Sequence, residues 1–167
     1  MKFSRIVVAG LLAAATSVAV AQQAKIGFVN TERILRDAAP AKAAQQKLEQ
    51  EFAKRDKDLQ DIASRLKAMG ERLERDAAVM SDSDRQRRQR EYADLEKDFQ
   101  RKQREFREDL NQRRNEELAK VIERANQVIK QIAEKESYDL ILQEAVVVSP
   151  RVDITDKVLQ SLTAGGK

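Results

Sequence analysis

From residue 41 to residue 135 the chain contains no proline and one glycine, Gly70, and large apolar side chains return at seven-residue spacing. One seam position falls on Phe52, Leu59, Leu66, Leu73 and Met80, and its companion on Leu48, Arg55, Ile62, Met69 and Asp76. Such a repeat keeps one stripe of a helix turned toward a partner helix, so it predicts a coiled coil with polar interruptions at Arg55 and Asp76. The pattern breaks at Ser81-Asp82-Ser83-Asp84, where Ser83 followed by Gln86 offers a capping box for a second helix. In that second segment Tyr92, Phe99 and Phe106 repeat at the same spacing, with Leu95 between the first two. A fold-back at 82 and 83 sets these aromatics opposite Leu73, Leu66 and Leu59, because each pair of numbers sums to 165. The expected architecture is an antiparallel coiled-coil hairpin over 41–135, its turn near 81–84, its seam on Leu59, Leu66, Leu73, Tyr92, Phe99 and Phe106. At 1.5 Å rise per residue one arm extends roughly 60 Å.

The seam is imperfect. Lys102 to Phe106 and Phe106 to Leu110 are successive four-residue steps, a stutter that locally unwinds a supercoil, before the stripe resumes as Leu118, Val121, Ala125, Val128 and Ile132. Arg55, Asp76, Lys102 and Arg113 stand at or near the seam, where polar residues specify register at a cost in stability, and they are expected to loosen the arm. Gly70 reads either as a hinge or as a tolerated surface glycine.

Both ends of the mature chain change period. Residues 25–29, KIGFV, form a short β-type run, and Asn30-Thr31-Glu32 supplies a cap and an early acid for a helix. Pro40 suits the first turn of the next helix. After Ser137 come YDLIL and AVVVS, two further β-type runs, then Pro150 and a capped segment from Asp153 to Leu162. The fold class is thus mainly α with a small β body: the hairpin returns the chain to its origin, and 22–40 joins 136–167 in one small sheet with a short terminal helix. Ile26, Phe28, Leu140, Ile141 and Val147 are its candidate core. So few residues cannot bury a self-sufficient core and leave strand edges unpaired, which oligomerisation through the sheets would remedy.

Lys2 and Arg5 precede the apolar run from Ile6 to Ala21, which ends in Ala19-Val20-Ala21. A charged start, a short apolar stretch and an A-x-A site make residues 1–21 an export signal, cleaved after Ala21, and place the mature protein outside the cytoplasm. Losing Lys2 and Arg5 takes the formal charge from +4 to +2, since residues 1–21 contain no acid. An exported chain without cysteine has no disulfide framework. The lack of histidine removes the commonest general base and transition-metal ligand. No P-loop pattern suggests an ATP-driven cycle, and paired acids on exposed helices have no reason to titrate near neutrality, so neither catalysis nor a cofactor is expected.

Residues 85–90, RQRRQR, invite a phosphate-binding reading. Across 71–92, however, six arginines meet six acids, and export removes the chain from nucleic acid. A solvated helix face is one reading. Contact of Arg85, Arg87, Arg88 and Arg90 with an acidic client or an anionic lipid is the other.

Taken in order, the export signal, KIGFVN, the charged hairpin, RRNEEL at 113–118 and the ending YDLILQEAVVV…VDITDKVLQSL resemble the Skp, or OmpH-like, periplasmic chaperones over nearly the whole chain. The resemblance implies a periplasmic homotrimer with a β body and three helical arms enclosing a cavity, holding unfolded outer-membrane proteins without ATP or cofactor. It transfers no binding motif residue by residue, so client contact is expected on a surface, and contact with anionic lipid or lipopolysaccharide stays open. Two other classes compete. A structural coiled-coil spacer or envelope-surface binding protein would use the hairpin rigidly, and an envelope hydrolase would need a polar pocket that the residues do not suggest.

Overall fold

A computed structural model describes residues 23–165, and the export signal expected at 1–21 lies outside the described residues. The elements run β1 (Ile26–Phe28), α1 (Thr31–Asp37), α2 (Ala39–Arg75), α3 (Asp82–Glu136), β2 (Leu140–Leu142) and α4 (Thr155–Ala164). Helices α2 and α3 pack along one another as the hairpin, and the remaining elements gather at its root.

Local chemistry accounts for the boundaries. The Asn30 side-chain oxygen accepts from the Arg33 N–H at 2.9 Å and starts α1. Extended backbone at Ala38 ends α1, and Pro40 sits in the first turn of α2, where its missing N–H costs nothing. The reversal occupies residues 76–81, ahead of the expected 81–84. Ser81 is the cap in place of Ser83: its hydroxyl accepts from the Asp84 N–H at 3.1 Å. The earlier start brings both Asp82 and Asp84 into the first turn, where carboxylates meet the positive end of the helix dipole. At the other end Ser137 adopts a left-handed conformation, φ 55°, and the Tyr138 N–H closes on the Ala133 carbonyl at 3.0 Å.

Helix α2 continues unbroken through Gly70. A methyl group there would meet the Tyr92 ring at an ordinary 3.7 Å. Gly70→Ala is therefore expected to stabilise the arm by roughly 0.5–1 kcal/mol. Urea titration of helicity checks this, and a loss of stability would mark the glycine as a required flexible point.

Strands β1 and β2 pair in parallel, with Ile26 opposite Leu140, Gly27 opposite Ile141 and Phe28 opposite Leu142. Parallel pairing needs a long crossover, which here is the entire hairpin. On the other edge of β1 the Phe28 N–H donates to the Val152 carbonyl at 2.8 Å, and the Ile154 N–H donates to the Phe28 carbonyl at 2.9 Å. β1 is thus central, and Gly27 lies so close beneath Tyr138 and Ile154 that a Cβ would stand 3.2–3.3 Å from them.

The AVVVS run departs from expectation. Residues 145–149 form no strand and lie in the connection between β2 and the 152–154 segment. β-propensity fits a side chain to a pleated surface but does not supply a hydrogen-bonding partner, and none is offered within the described chain. Val146 and Val147 are left 103% and 87% exposed.

The core joins Val29, Ile34, Val121, Ile132, Val158 and Leu162 with small side chains of the hairpin root. It reaches Ala41 and Ala44 on α2 and extends back to Val121 on α3, so it runs across the body–arm divisions at 40/41 and 135/136. Thr155, fully buried, is satisfied on both sides: its hydroxyl donates to Asp153 Oδ1 at 2.5 Å and accepts from the Asn30 N–H at 2.9 Å.

Candidate functional site

Beyond the core the two helices meet along a thin seam. Only Phe52 and Ile62 are buried on the outer stretch of α2, while Leu59, Leu66, Leu73, Tyr92, Phe99 and Phe106 are all half-buried. Leu59 and Phe106 share a small cleft with Ile62, Arg55 and Lys102. Phe106 also meets Phe52 edge to face, ring centroids 5.6 Å apart. Near the tip the Tyr92 ring lies over Gly70, and Leu73 lies beside Arg87 and Arg88. The lining left half-exposed along both helices is apolar in stripes and charged between them.

Three ion pairs cross the hairpin at four-residue steps: Lys47 with Glu117 at 2.9 Å, Glu51 with Arg113 at 3.1 Å, and Arg55 with Asp109 at 2.8 Å. The Arg55 guanidinium also sits over the Phe52 and Phe106 rings, 5.5 and 5.9 Å from their centroids. Farther out, Arg88 reaches Asp76 at 3.9 Å. Of the four polar seam residues expected to loosen the arm, Arg55, Asp76 and Arg113 instead tie its helices together, and Lys102 pairs within its own helix, with Asp98. Arg55 and Arg113 reach across the narrow seam to Asp109 and Glu51, acids that the heptad count did not place there.

Glu117 is the focus of this ladder, its side chain only 8% exposed and its carboxylate shared by Lys47, Arg113 and Lys120. The hydrogen bond from Lys47, with that from Lys120 next, holds the carboxyl down to about 2 against an ordinary 4.5. A depressed folded-state pKa stabilises fully above 4.5, and the contribution is lost as pH falls from there toward 2. Melting temperature is therefore expected to fall more steeply below pH 4.5 in the wild type than in Glu117→Gln, which lacks the titrating group. Parallel pH profiles of the two proteins would remove Glu117 from the account of acid stability.

Asp37, Asp84, Asp98, Glu116 and Glu136 are likewise held below their ordinary range, by hydrogen bonds from Arg36, Ser81, Lys102, Gln112 and Lys157 respectively. These shifts run away from neutrality, the wrong direction for acid–base chemistry at pH 7. Among the described residues no group of three acids is placed to hold a metal ion, and no helix is long and apolar enough to cross a membrane.

The tip arginines are largely occupied. Arg85 pairs with Asp82 and Arg87 with Asp84, both at 2.9 Å, and Arg88 with Asp76. Arg90 bonds the Gln86 carbonyl and has no ion pair among the described residues. In the body, Phe28 is buried and Ile141 half-buried, whereas Ile26, Leu140 and Val147 are exposed together with Leu142 and Val146. These five are large apolar side chains left exposed at the body of a charged molecule, the kind of surface that marks an interface.

A second apolar feature was not foreseen. Between α2 and α3, where α1 abuts the hairpin root, lies an open cleft of about 700 Å³. Leu35, Leu48, Phe52, Phe106, Leu110 and Leu118 line it. Leu48, Phe52, Phe106, Leu110 and Leu118 were visible as seam or stripe positions, but that Leu35 of α1 joins them around one cleft was not.

The described residues thus form a long charged hairpin rooted on a small mixed α and β body that exposes several large apolar side chains. The chain belongs to the OmpH-like outer membrane protein family, whose sequence profile matches residues 25–162. It is 33% identical over 153 residues to the chaperone protein Skp of Yersinia enterocolitica, covering 90% of this chain and 92% of that one. Against the chaperone protein Skp of Pectobacterium atrosepticum it is 31% identical, covering 91% and 92%. Its fold matches a crystal structure of an outer membrane chaperone (OmpH-like) from Caulobacter crescentus with a TM-score of 0.71, at 17% identity and 85% coverage of both chains.

Proposed function

We propose that this protein is an ATP-independent periplasmic holdase that binds unfolded outer-membrane proteins and keeps them from aggregating. The observation that carries the reading is the hairpin itself, a projecting double helix with a half-exposed apolar seam set among charges. Family membership and the relatives named Skp support it. Many weak apolar and ionic contacts suit a client without one fixed shape, and they need no nucleotide to reset.

The working form is a homotrimer. The exposed Ile26, Leu140, Leu142, Val146 and Val147 edge, and the unpaired 145–149 run, would find partners in further copies of the chain. The arms, rooted on that body, would then surround a common space. Removal of residues 1–21 during export would deliver this form to the periplasm. A second reading at the tip, contact with an anionic lipid or lipopolysaccharide surface, is favoured by Val79, 86% exposed, together with Arg90, which has no ion pair among the described residues. The acids beside Arg85, Arg87 and Arg88 weigh against a strong electrostatic grip.

The test is light scattering of a urea-unfolded outer-membrane barrel protein on dilution. A several-fold excess of trimer is expected to suppress scattering equally with and without ATP, and less well at high salt, where screening shortens to about 3 Å at 1 M. Undiminished aggregation would reject the holdase reading, and a strict requirement for ATP would reject the mechanism.

A further inference from the structure

We infer that the cleft at the hairpin root seats one extended stretch of an unfolded client, alternate apolar side chains down. The inference rests on the holdase reading and assigns it a defined subsite. At about 700 Å³ the cleft falls within the range of ligand-binding cavities, roughly 300–1,000 Å³. Its apolar wall is not consumed by the hairpin's own packing: Leu35, Leu48, Phe106, Leu110 and Leu118 are each only half-buried. Of the large apolar side chains lining it, Phe52 alone is buried.

Length and charge select the occupant. The α2 wall runs from Ala41 to Asp56, roughly 22 Å at 1.5 Å per residue. An extended chain rising about 3.3 Å per residue covers that distance in six or seven residues. The rims carry unpaired charge of opposite sign. On the α2 side Glu49 and Asp56 accept from the amides of Gln45 and Gln60 and make no ion pair among the described residues. On the α3 side Arg114 lines the cleft and has no ion pair among the described residues. A segment whose apolar residues alternate with polar ones, as in the strands of a membrane barrel, would seat the first kind below and turn the second kind outward, to water and the charged mouth formed by Glu49, Asp56 and Arg114. A uniformly anionic or cationic ligand would meet like charge on one wall.

The full-length protein tests this with a photo-crosslinking phenylalanine analogue placed singly at Ala53, on the cleft, or at Ala63, exposed farther along α2. Each is mixed with a urea-unfolded barrel protein on dilution. Position 53 is expected to yield severalfold more client adduct than position 63, mapped to client segments of alternating polarity. Ala53→Trp, which fills the cleft, should weaken client affinity by about tenfold, the loss of one well-seated apolar side chain, while Ala63→Trp changes it little. Equal adduct from both positions, adducts from 53 to a second copy of this chain, or unchanged affinity in Ala53→Trp would overturn the inference. If aggregation is still suppressed in those cases, the holdase reading survives without the subsite. If the wild type suppresses nothing, both fall.

Discussion

Val158→Asp is expected to unfold the body and to release the root of the hairpin with it. Val158 is 0% exposed and sits in the cluster that joins α4 to Val29, Ile34 and the α3 side chains Val121 to Ile132. An aspartate there buries either a charge or an unpaired polar group, and no neighbouring cation in the cluster offsets it. The cost is about 4 kcal/mol or more, against a total stability for a domain of about 5–15 kcal/mol. Ala63→Asp, on an exposed face of the arm, is the matched control and should stay within about 0.5 kcal/mol of wild type. Circular dichroism during urea titration separates the two. A Val158→Asp protein that melts with the wild type would mean that the cluster is not the fold's centre.

Val147→Asp should have an effect of a different kind and comparable size. Within one chain Val147 is 87% exposed, so the substitution costs that chain little by itself. In the proposed trimer the same residue belongs to the apolar edge that meets further copies, and a charge buried there without a partner is strongly unfavourable. Sedimentation at micromolar concentration is expected to show wild-type trimer and largely dissociated Val147→Asp. Because burial between subunits supplements a small core, the variant's melting temperature should also fall and become dependent on concentration. A variant that stays trimeric would move the interface away from this edge, and a wild type that sediments as a stable monomer would remove the assembly altogether.

The hairpin was legible because its evidence is periodic and local. The fold-back count paired residues summing to 165, and the observed bridges Lys47–Glu117, Glu51–Arg113 and Arg55–Asp109 each sum to 164. The same mirror rule, applied to charges as well as to apolar residues, would have found Glu117 within RRNEEL. The capping residue was harder. Ser81 and Ser83 are chemically equal, and the choice depends on where the last turn of α2 gives out, at Arg75. AVVVS misled because its composition is that of a strand, whereas the described chain offers it no ladder.

The sequence by itself determined the class of fold, the antiparallel sense of the arms, and the helix starts at Asn30 and Pro40, since each follows from side-chain period or from a cap within a few residues. Only the tertiary structure decided that β1 runs parallel to β2 and lies between it and residues 152–154. It alone showed that the core enters the hairpin root, that Glu117 is buried among three cations, and that Leu35 of α1 lines an apolar cleft beside Phe52. The physical reason is that burial and ion pairing depend on which distant segments meet, and residues 70 or 125 positions apart carry no local mark of their neighbours.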